Sequence, residues 1–230
     1  MHVMIGVPAF RGTVSTETLN AIVGICSLLA ARRHTFLLAN VSSAEVSVAR
    51  NLLAHEFLKS SCTLFVGIDD DVGIEPRLFA QLLDLEQPML GAYLPRRQID
   101  LARFEEAVAR GLRGRRALVE AAPYMGPPVN AGEDLLQGRV FAVPYIPTGF
   151  YMVQRAVLEK IAELGLAHRS AVERPTHSGE AIGFFDSIVA GGNYLGEDFS
   201  FCERVRTAGF AVMAYAGPGL THTGAMTFRS

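Results

Sequence analysis

Three consecutive aspartates, Asp69, Asp70 and Asp71, close an apolar run that reads TLFVGIDDDVG from Thr63 to Gly73. Such a run predicts a buried strand, and carboxylates gathered at its end repel. Like charges about 6 Å apart cost about 2–3 kcal/mol at an effective dielectric near 20. A divalent cation relieves that repulsion, and an oxygen-rich site suits Mg²⁺ or Mn²⁺. If the extended backbone continues through the triplet, Asp69 and Asp71 share one face and Asp70 points away. An acidic turn accounts for the same residues, since Asp and Gly are common turn formers. On this stretch alone the two readings stand level.

Other candidate groups are weaker singly. Glu197 and Asp198 open the helix of LGEDFSFCERVRTAGF, where Phe201, Val205 and Ala208 give the apolar spacing and Gly209 the stop. Acidic groups there gain about 0.3–1 kcal/mol from the helix dipole, which explains the pair without chemistry. His222, in LTHTG, reads as a lone histidine in a glycine-rich terminal loop. His168 and His177 have no partner at metal-ligand spacing and read as loop residues. Arg50 falls mid-helix beside an apolar stripe, so a solvated charge is favoured over a phosphate or base contact.

The elements that must carry these residues alternate. His2 to Val7 predicts a buried strand stopped by Pro8, followed by a loop over Ala9 to Val14 at its carboxyl end, where open α/β sheets bind ligands. A helix is expected over Ser15 to Arg33 with Leu19, Ile22, Val23, Cys26 and Ala30 buried, then a strand over Thr35 to Val41. Ser42 and Glu45 stand at capping-box spacing before a helix whose stripe is Val46, Ala49, Leu53 and Phe57. After the triplet, Pro76 starts a helix with Phe79, Leu82 and Leu83 inward, and Met89 to Leu94 is a strand. This β-α-β-α-β-α-β order defines a layered α/β domain with a mostly parallel sheet. Arginines then crowd the chain from Arg96 and Arg97 to Arg116; a helix is expected near Leu101 to Leu112 and irregular chain from there to Gln137. Such a charge run is usually a solvated face, although arginines suit an anionic substrate. Strands over Val140 to Ile146 and Gly149 to Val153 precede a helix over Arg155 to Leu164. Leu166 to Tyr194 reads as loop-rich, and Ala211 to Ala216 as a last strand.

Composition excludes several classes. A formal net charge of −2 gives no global pull towards nucleic acid or anionic membrane. Three cysteines, Cys26, Cys62 and Cys202, sit in apolar segments without regular spacing, as reduced core residues of a cytoplasmic protein do. No signal peptide is expected, and the apolar run from Leu19 to Ala31 is too short to span a bilayer.

Taken in order, IGVPAF, ARNLL, FVGIDDDV, PTGFYMVQRAVLEKI, GEDFSFCERVRTAG and THTG resemble the glycosyltransferases of the GT-A fold, of the family 2-like kind with DxD and GED motifs. The resemblance covers nearly all of the chain. It implies a Rossmann-like sheet flanked by helices in one catalytic domain, 1–230. Residues 1–95 would be its nucleotide-binding half, 96–140 a mobile arginine-rich insertion, and 141–230 an acceptor-side half with the catalytic helix. It implies transfer, by a hexosyltransferase, of a sugar from a UDP- or GDP-linked donor to an acceptor hydroxyl. Asp69, Asp71 and His222 would hold Mn²⁺ or Mg²⁺ at the donor diphosphate, with Asp71 foremost and Asp70 towards ribose or base. Pro8, Ala9, Phe10 and Arg50 would cradle the nucleoside, and Thr148 and Gly149 would lie beside sugar and acceptor. Glu197 and Asp198 would face the acceptor hydroxyl, with Asp198 as general base in an inverting enzyme. A nucleotidyltransferase should carry a glycine-rich phosphate loop after its first strand, and VPAFRGTV has one glycine. A catalytically silent sugar-nucleotide-binding module would not need the intact triplet, GED and His222 together.

Overall fold

Strand β1 (His2–Pro8) lies between β2 (Thr35–Val41) and β3 (Leu64–Ile68), parallel to both, as the two expected helical crossovers require. Those crossovers are α1 (Thr16–Ala31) and α2 (Val46–Lys59). The structure, a computed structural model, describes residues 1–124, 138–174 and 177–224. A short strand β4 (Val72–Ile74), helix α3 (Pro76–Leu83) and strand β5 (Met89–Ala92) follow the triplet. Helices α4 (Leu101–Ala109) and α5 (Arg115–Ala121) come next, then β6 (Arg139–Val143), β7 (Phe150–Gln154) and α6 (Arg155–Glu163). The chain continues through β8 (Arg169–Arg174), β9 (His177–Ile182), β10 (Ile188–Ala190) and β11 (Asn193–Leu195) to α7 (Glu197–Thr207), β12 (Val212–Ala216) and β13 (Leu220–His222).

The central sheet has seven strands in the order β2-β1-β3-β7-β5-β12-β6. β1, β2, β3, β5 and β12 run one way, with β7 and β6 against them. This is the mostly parallel, Rossmann-like α/β architecture expected from the sequence. One core cluster packs beneath α2, α6 and α7 around Phe57, Phe65, Tyr151 and Phe201. The other packs beneath α1 and α3 around Ile25, Val66, Ile68 and Phe79. Arg155 joins layers: its guanidinium donates to the Cys62, Phe57 and Ser60 carbonyls at 2.7–2.8 Å, closing the carboxyl end of α2. Among the described residues no helix is long and apolar enough to cross a membrane.

Several expectations are corrected. Ser15 caps α1 as expected, its Oγ accepting from Thr18 N–H, but the buried face is Thr18, Ala21, Ile22, Ile25 and Leu29. Leu19, Val23 and Ala30 are exposed because α1 turns Thr18 towards the β3–β4 turn, where its Oγ1 donates to Asp69 O. The Ser42–Glu45 capping box does not form; Glu45 is the N-cap without a side-chain bond, and Ser43 Oγ accepts from Glu45 N–H instead. The stretch past Leu112 is not irregular throughout, since α5 packs on α4 as a helical hairpin. The expected irregular chain over 125–137 lies outside the described residues. Leu166 to Tyr194 is two β-hairpins rather than loop, β8–β9 and β10–β11. Gly191 and Gly192, at φ 57° and 79°, make the two-residue turn that the second hairpin needs. The closing loop is also partly strand: β13 pairs antiparallel with β4, setting His222 opposite Val72.

Candidate active site

The aspartate triplet is both of the things its sequence allowed, a turn and a gathering of carboxylates. Val72 N–H donates to Asp69 O at 3.2 Å, so the chain reverses there, and the face alternation expected of an extended segment does not hold. Every main-chain carbonyl of the triplet is also tied from outside: Thr18 Oγ1 to Asp69 O, Ser15 N–H to Asp70 O, and Thr223 N–H to Asp71 O. Asp69 N–H donates to Gly149 O at 2.8 Å. A Cβ on Gly149 would lie 2.5 Å from Leu94 Cδ1 and 3.4 Å from Asp69 Oδ2, so this approach needs glycine. The turn therefore fans its carboxylates in three directions.

Asp69 faces Arg50. Arg50, expected in solvent, is 3% exposed and reaches across α2 to three acidic groups. Its Nη2 donates to both Asp69 oxygens at 3.0 and 3.1 Å, and its Nη1 to Asp198 Oδ1 at 2.8 Å and Glu197 Oε1 at 3.4 Å. Burial opposes the Arg50 charge, but Asp69 and Asp198 outweigh it and hold the guanidinium above its ordinary value. Burial pushes the Asp69 carboxyl up, with Arg50 pulling it back. Neighbouring Asn51 is buried for a different purpose: its Nδ2 donates to Asp186 and its Oδ1 accepts from Phe185 N–H, pinning the chain between β9 and β10. Asp186 Oδ2 also lies 2.9 Å from Nε2 of the loop residue His168.

Asp198 and Glu197 are placed by α7, whose first turn they form. Asp198 Oδ1 accepts from Arg50 and from the hydroxyl of the fully buried Thr148. Among the described residues nothing donates to Oδ2. Asp70 turns the other way, its Oδ2 accepting from Phe10 N–H at 2.9 Å and fastening the loop after β1; burial pushes its carboxyl up.

Asp71 meets His222 and Arg97. His222 Nε2 lies 3.4 Å from Asp71 Oδ1, and Arg97 Nη1 2.5 Å from Oδ2. His222 Nδ1 is 2.7 Å from Pro95 O. A carbonyl only accepts, so Nδ1 carries the proton and Nε2 faces the carboxylate, either protonated or free to share a cation with it. Burial works against the Asp71 charge, yet His222 and Arg97 hold it below its ordinary value. Burial likewise disfavours the imidazolium, yet Asp71 and the Pro95 carbonyl raise His222 above 6.5. The metal-free fold thus gains most from His222 below pH 6.5 and loses that gain as pH rises through the higher folded value. As pH rises above 6.5, chelator-treated protein should lose melting temperature more steeply than His222→Gln; parallel curves would refute the coupling.

These groups surround one cavity of about 800 Å³ at the carboxyl ends of β1 and β3. Pro8, Phe10, Arg50, Asp69, Asp70, Asp71, Gly149, Glu197, Asp198 and His222 line it. Ala9 is buried with its N–H on Val41 O, and Thr148 is buried behind Asp198; neither lines the cavity. Thr13, Ser43 and Arg97 also line it. Arg97 belonged to the arginine-rich run, and nothing in its spacing marked it off from Arg96. The trio expected around one cation is divided, because Arg50 engages both oxygens of Asp69. Among the described residues no three His, Cys, Asp or Glu side chains converge as a metal-holding group.

No protein-family model and no curated protein matches the chain. Among solved structures it is similar to the A197 protein from STIV, with TM-score 0.48 and 14% identity over 98% of this chain and 87% of that one. It is also similar to a glycosyltransferase involved in glycosylation of the major capsid of PBCV-1, at TM-score 0.39 and 14% identity over 72% and 65%. A putative glucose-1-phosphate thymidylyltransferase from Bacillus anthracis gives TM-score 0.31 and 14% identity over 70% and 75%. Likeness this distant carries no functional weight; the cavity must supply it.

Proposed function

We propose that the chain is a glycosyltransferase of the GT-A kind, transferring a hexosyl group from a UDP- or GDP-sugar to an acceptor hydroxyl. The observation that carries this reading is that the one cavity holds an acidic turn, a histidine beside Asp71 and a second acidic pair opposite. That arrangement separates a corner suited to a diphosphate from a carboxylate suited to a proton. Residues 1–95 would supply the nucleoside end through Pro8, Phe10 and Asp70, and residues 141–230 the acceptor end through α7.

In this reading Asp71 and His222 would hold Mn²⁺ or Mg²⁺. Two protein ligands fit such an ion when substrate phosphates complete its shell, and the Pro95 carbonyl already orients Nε2 for the task. The ion, when bound, supplies charge stabilisation to the departing diphosphate. Arg97, paired with Asp71, would be placed to meet a phosphate oxygen of the donor. Asp198 is oriented by Arg50 and Thr148 through Oδ1. Its Oδ2 takes the proton of the acceptor hydroxyl as that oxygen bonds to the sugar anomeric carbon and the bond to diphosphate breaks. Arg50 is thereby reassigned from the nucleoside to the positioning of Asp69 and Asp198.

Calorimetric titration with UDP and GDP tests the donor site. Binding should appear with Mn²⁺ or Mg²⁺, weaken at least tenfold in chelator, and become metal-independent in Asp71→Ala. Equal affinity with and without chelator would sink the metal role, and no binding of either nucleotide would sink the reading itself.

A further inference from the structure

A second cavity of about 710 Å³ adjoins the first, with Arg96, Arg97, Gln98 and His222 in both linings. Its charge is one-sided. Arg96, Arg97, Arg115 and Arg116 line it and, among the described residues, no carboxylate does, in a chain whose formal net charge is −2. The first cavity mixes both signs, with Asp69, Asp70, Asp71, Glu197 and Asp198 facing Arg11, Arg50, Arg96 and Arg97 in its walls. Among the described residues, Arg97 is the one arginine of the four with an ion-pair partner, and that partner is Asp71.

The arginines are held together by main-chain bonds rather than by chance of side-chain placement. Arg96 N–H donates to Pro123 O at 2.7 Å and Asp100 N–H to Ala121 O at 2.9 Å, fixing the end of α5 against the segment that leaves β5. A bridge between Pro95 and Tyr124 adds to the clasp. Arg115 and Arg116 on α5 and Arg96 and Arg97 after β5 therefore share one hollow. Apart from Gln98 and His222, the rest of its wall is mostly apolar or aromatic, including Leu118, Val119, Tyr124 and Leu220. Guanidinium groups bind phosphate and carboxylate through paired, charge-assisted hydrogen bonds. An apolar wall beside them favours a ligand with a water-averse part.

We infer that this second cavity is a binding site for an organic anion, a phosphate- or carboxylate-bearing molecule with an apolar or aromatic portion. It adjoins the donor corner, with Arg97 and His222 in both linings, and does not depend on the function proposed for the first cavity. Calorimetry on the full chain at low salt, with phenyl phosphate, benzoate, inorganic phosphate and benzyl alcohol, tests it. Phenyl phosphate or benzoate should bind at least tenfold more tightly than inorganic phosphate or benzyl alcohol, and the tighter of the two identifies the anionic group. Arg115→Gln/Arg116→Gln, both at exposed positions, should weaken that binding at least tenfold while leaving UDP or GDP affinity within about twofold and the melting temperature unchanged. Equal binding of benzyl alcohol, unchanged affinity in the double variant, or no binding of either aromatic anion at millimolar concentration would overturn the site. Failure of both nucleotides to bind, with phenyl phosphate or benzoate still captured, would remove the donor reading and leave this one standing.

Discussion

Arg50→Ala is expected to destabilise the fold by about 3–5 kcal/mol, because removing one partner of a buried ion pair strands the other. Two carboxylates, Asp69 and Asp198, lose their counter-charge at once, and Glu197 loses a weaker contact. Their side chains keep 26% and 21% exposure, so water offsets part of the loss and the lower end of the range applies. For a domain of this size the change corresponds to a fall of about 6–12 °C in melting temperature. The deficit should depend on pH. Without the guanidinium, burial raises the Asp69 carboxyl unopposed, so that group favours folding when protonated and opposes it when ionised. The gap from wild type is therefore widest at neutral pH and narrows towards pH 4. Arg50→Lys should recover only part of it, since one ammonium does not span Asp69 and Asp198 as the planar fork does. Thermal unfolding across pH 4–8 decides the matter; an Arg50→Ala protein within about 1 kcal/mol of wild type at pH 7 would show that the charges are solvated after all.

Asp198→Asn should lower sugar transfer by about 10²–10⁴-fold, the usual contribution of a positioned general base. The amide keeps an oxygen towards Arg50 and Thr148, and places a nitrogen that takes no proton where Oδ2 stood. Nucleotide affinity should stay within a few-fold of wild type, because the donor corner at Asp71 and His222 is untouched. Single-turnover transfer measured beside nucleotide titration separates the two effects. A fully active Asp198→Asn would end the base assignment, and Glu197→Gln would be the next variant to measure.

The chain order of strands and helices was legible because apolar runs and breaks at Pro8, Pro76 and Gly165 mark it plainly. Legibility failed where the deciding contact was distant. Arg50 looks solvated on a helical wheel, and only Asp69 and Asp198 folding over it explain its burial. His222 looked like a loop residue because its position is set by β4, far back in the chain, rather than by its neighbours. The Gly191-Gly192 pair was a local signal for the β10–β11 hairpin, and alternation in IVA and NYL is too short to announce strands. For the triplet, proximity of the carboxylates was evident, but their division among Phe10, Arg50 and His222 rests on a turn that an extended reading hides.

The Arg50 knot also bears on how the molecule comes to be folded. Its partners lie 19 and 148 positions away in the chain, so the ring of contacts closes only when α7 has docked. Long-range closures of this kind are slow steps, and until they occur a cation sits in a forming core without its full set of anions. A chain still emerging from the ribosome, with residues 1–95 made and α7 not yet translated, would carry that penalty, and so would the same half expressed alone. The site's own charges thereby tie assembly of the cleft to synthesis of α7.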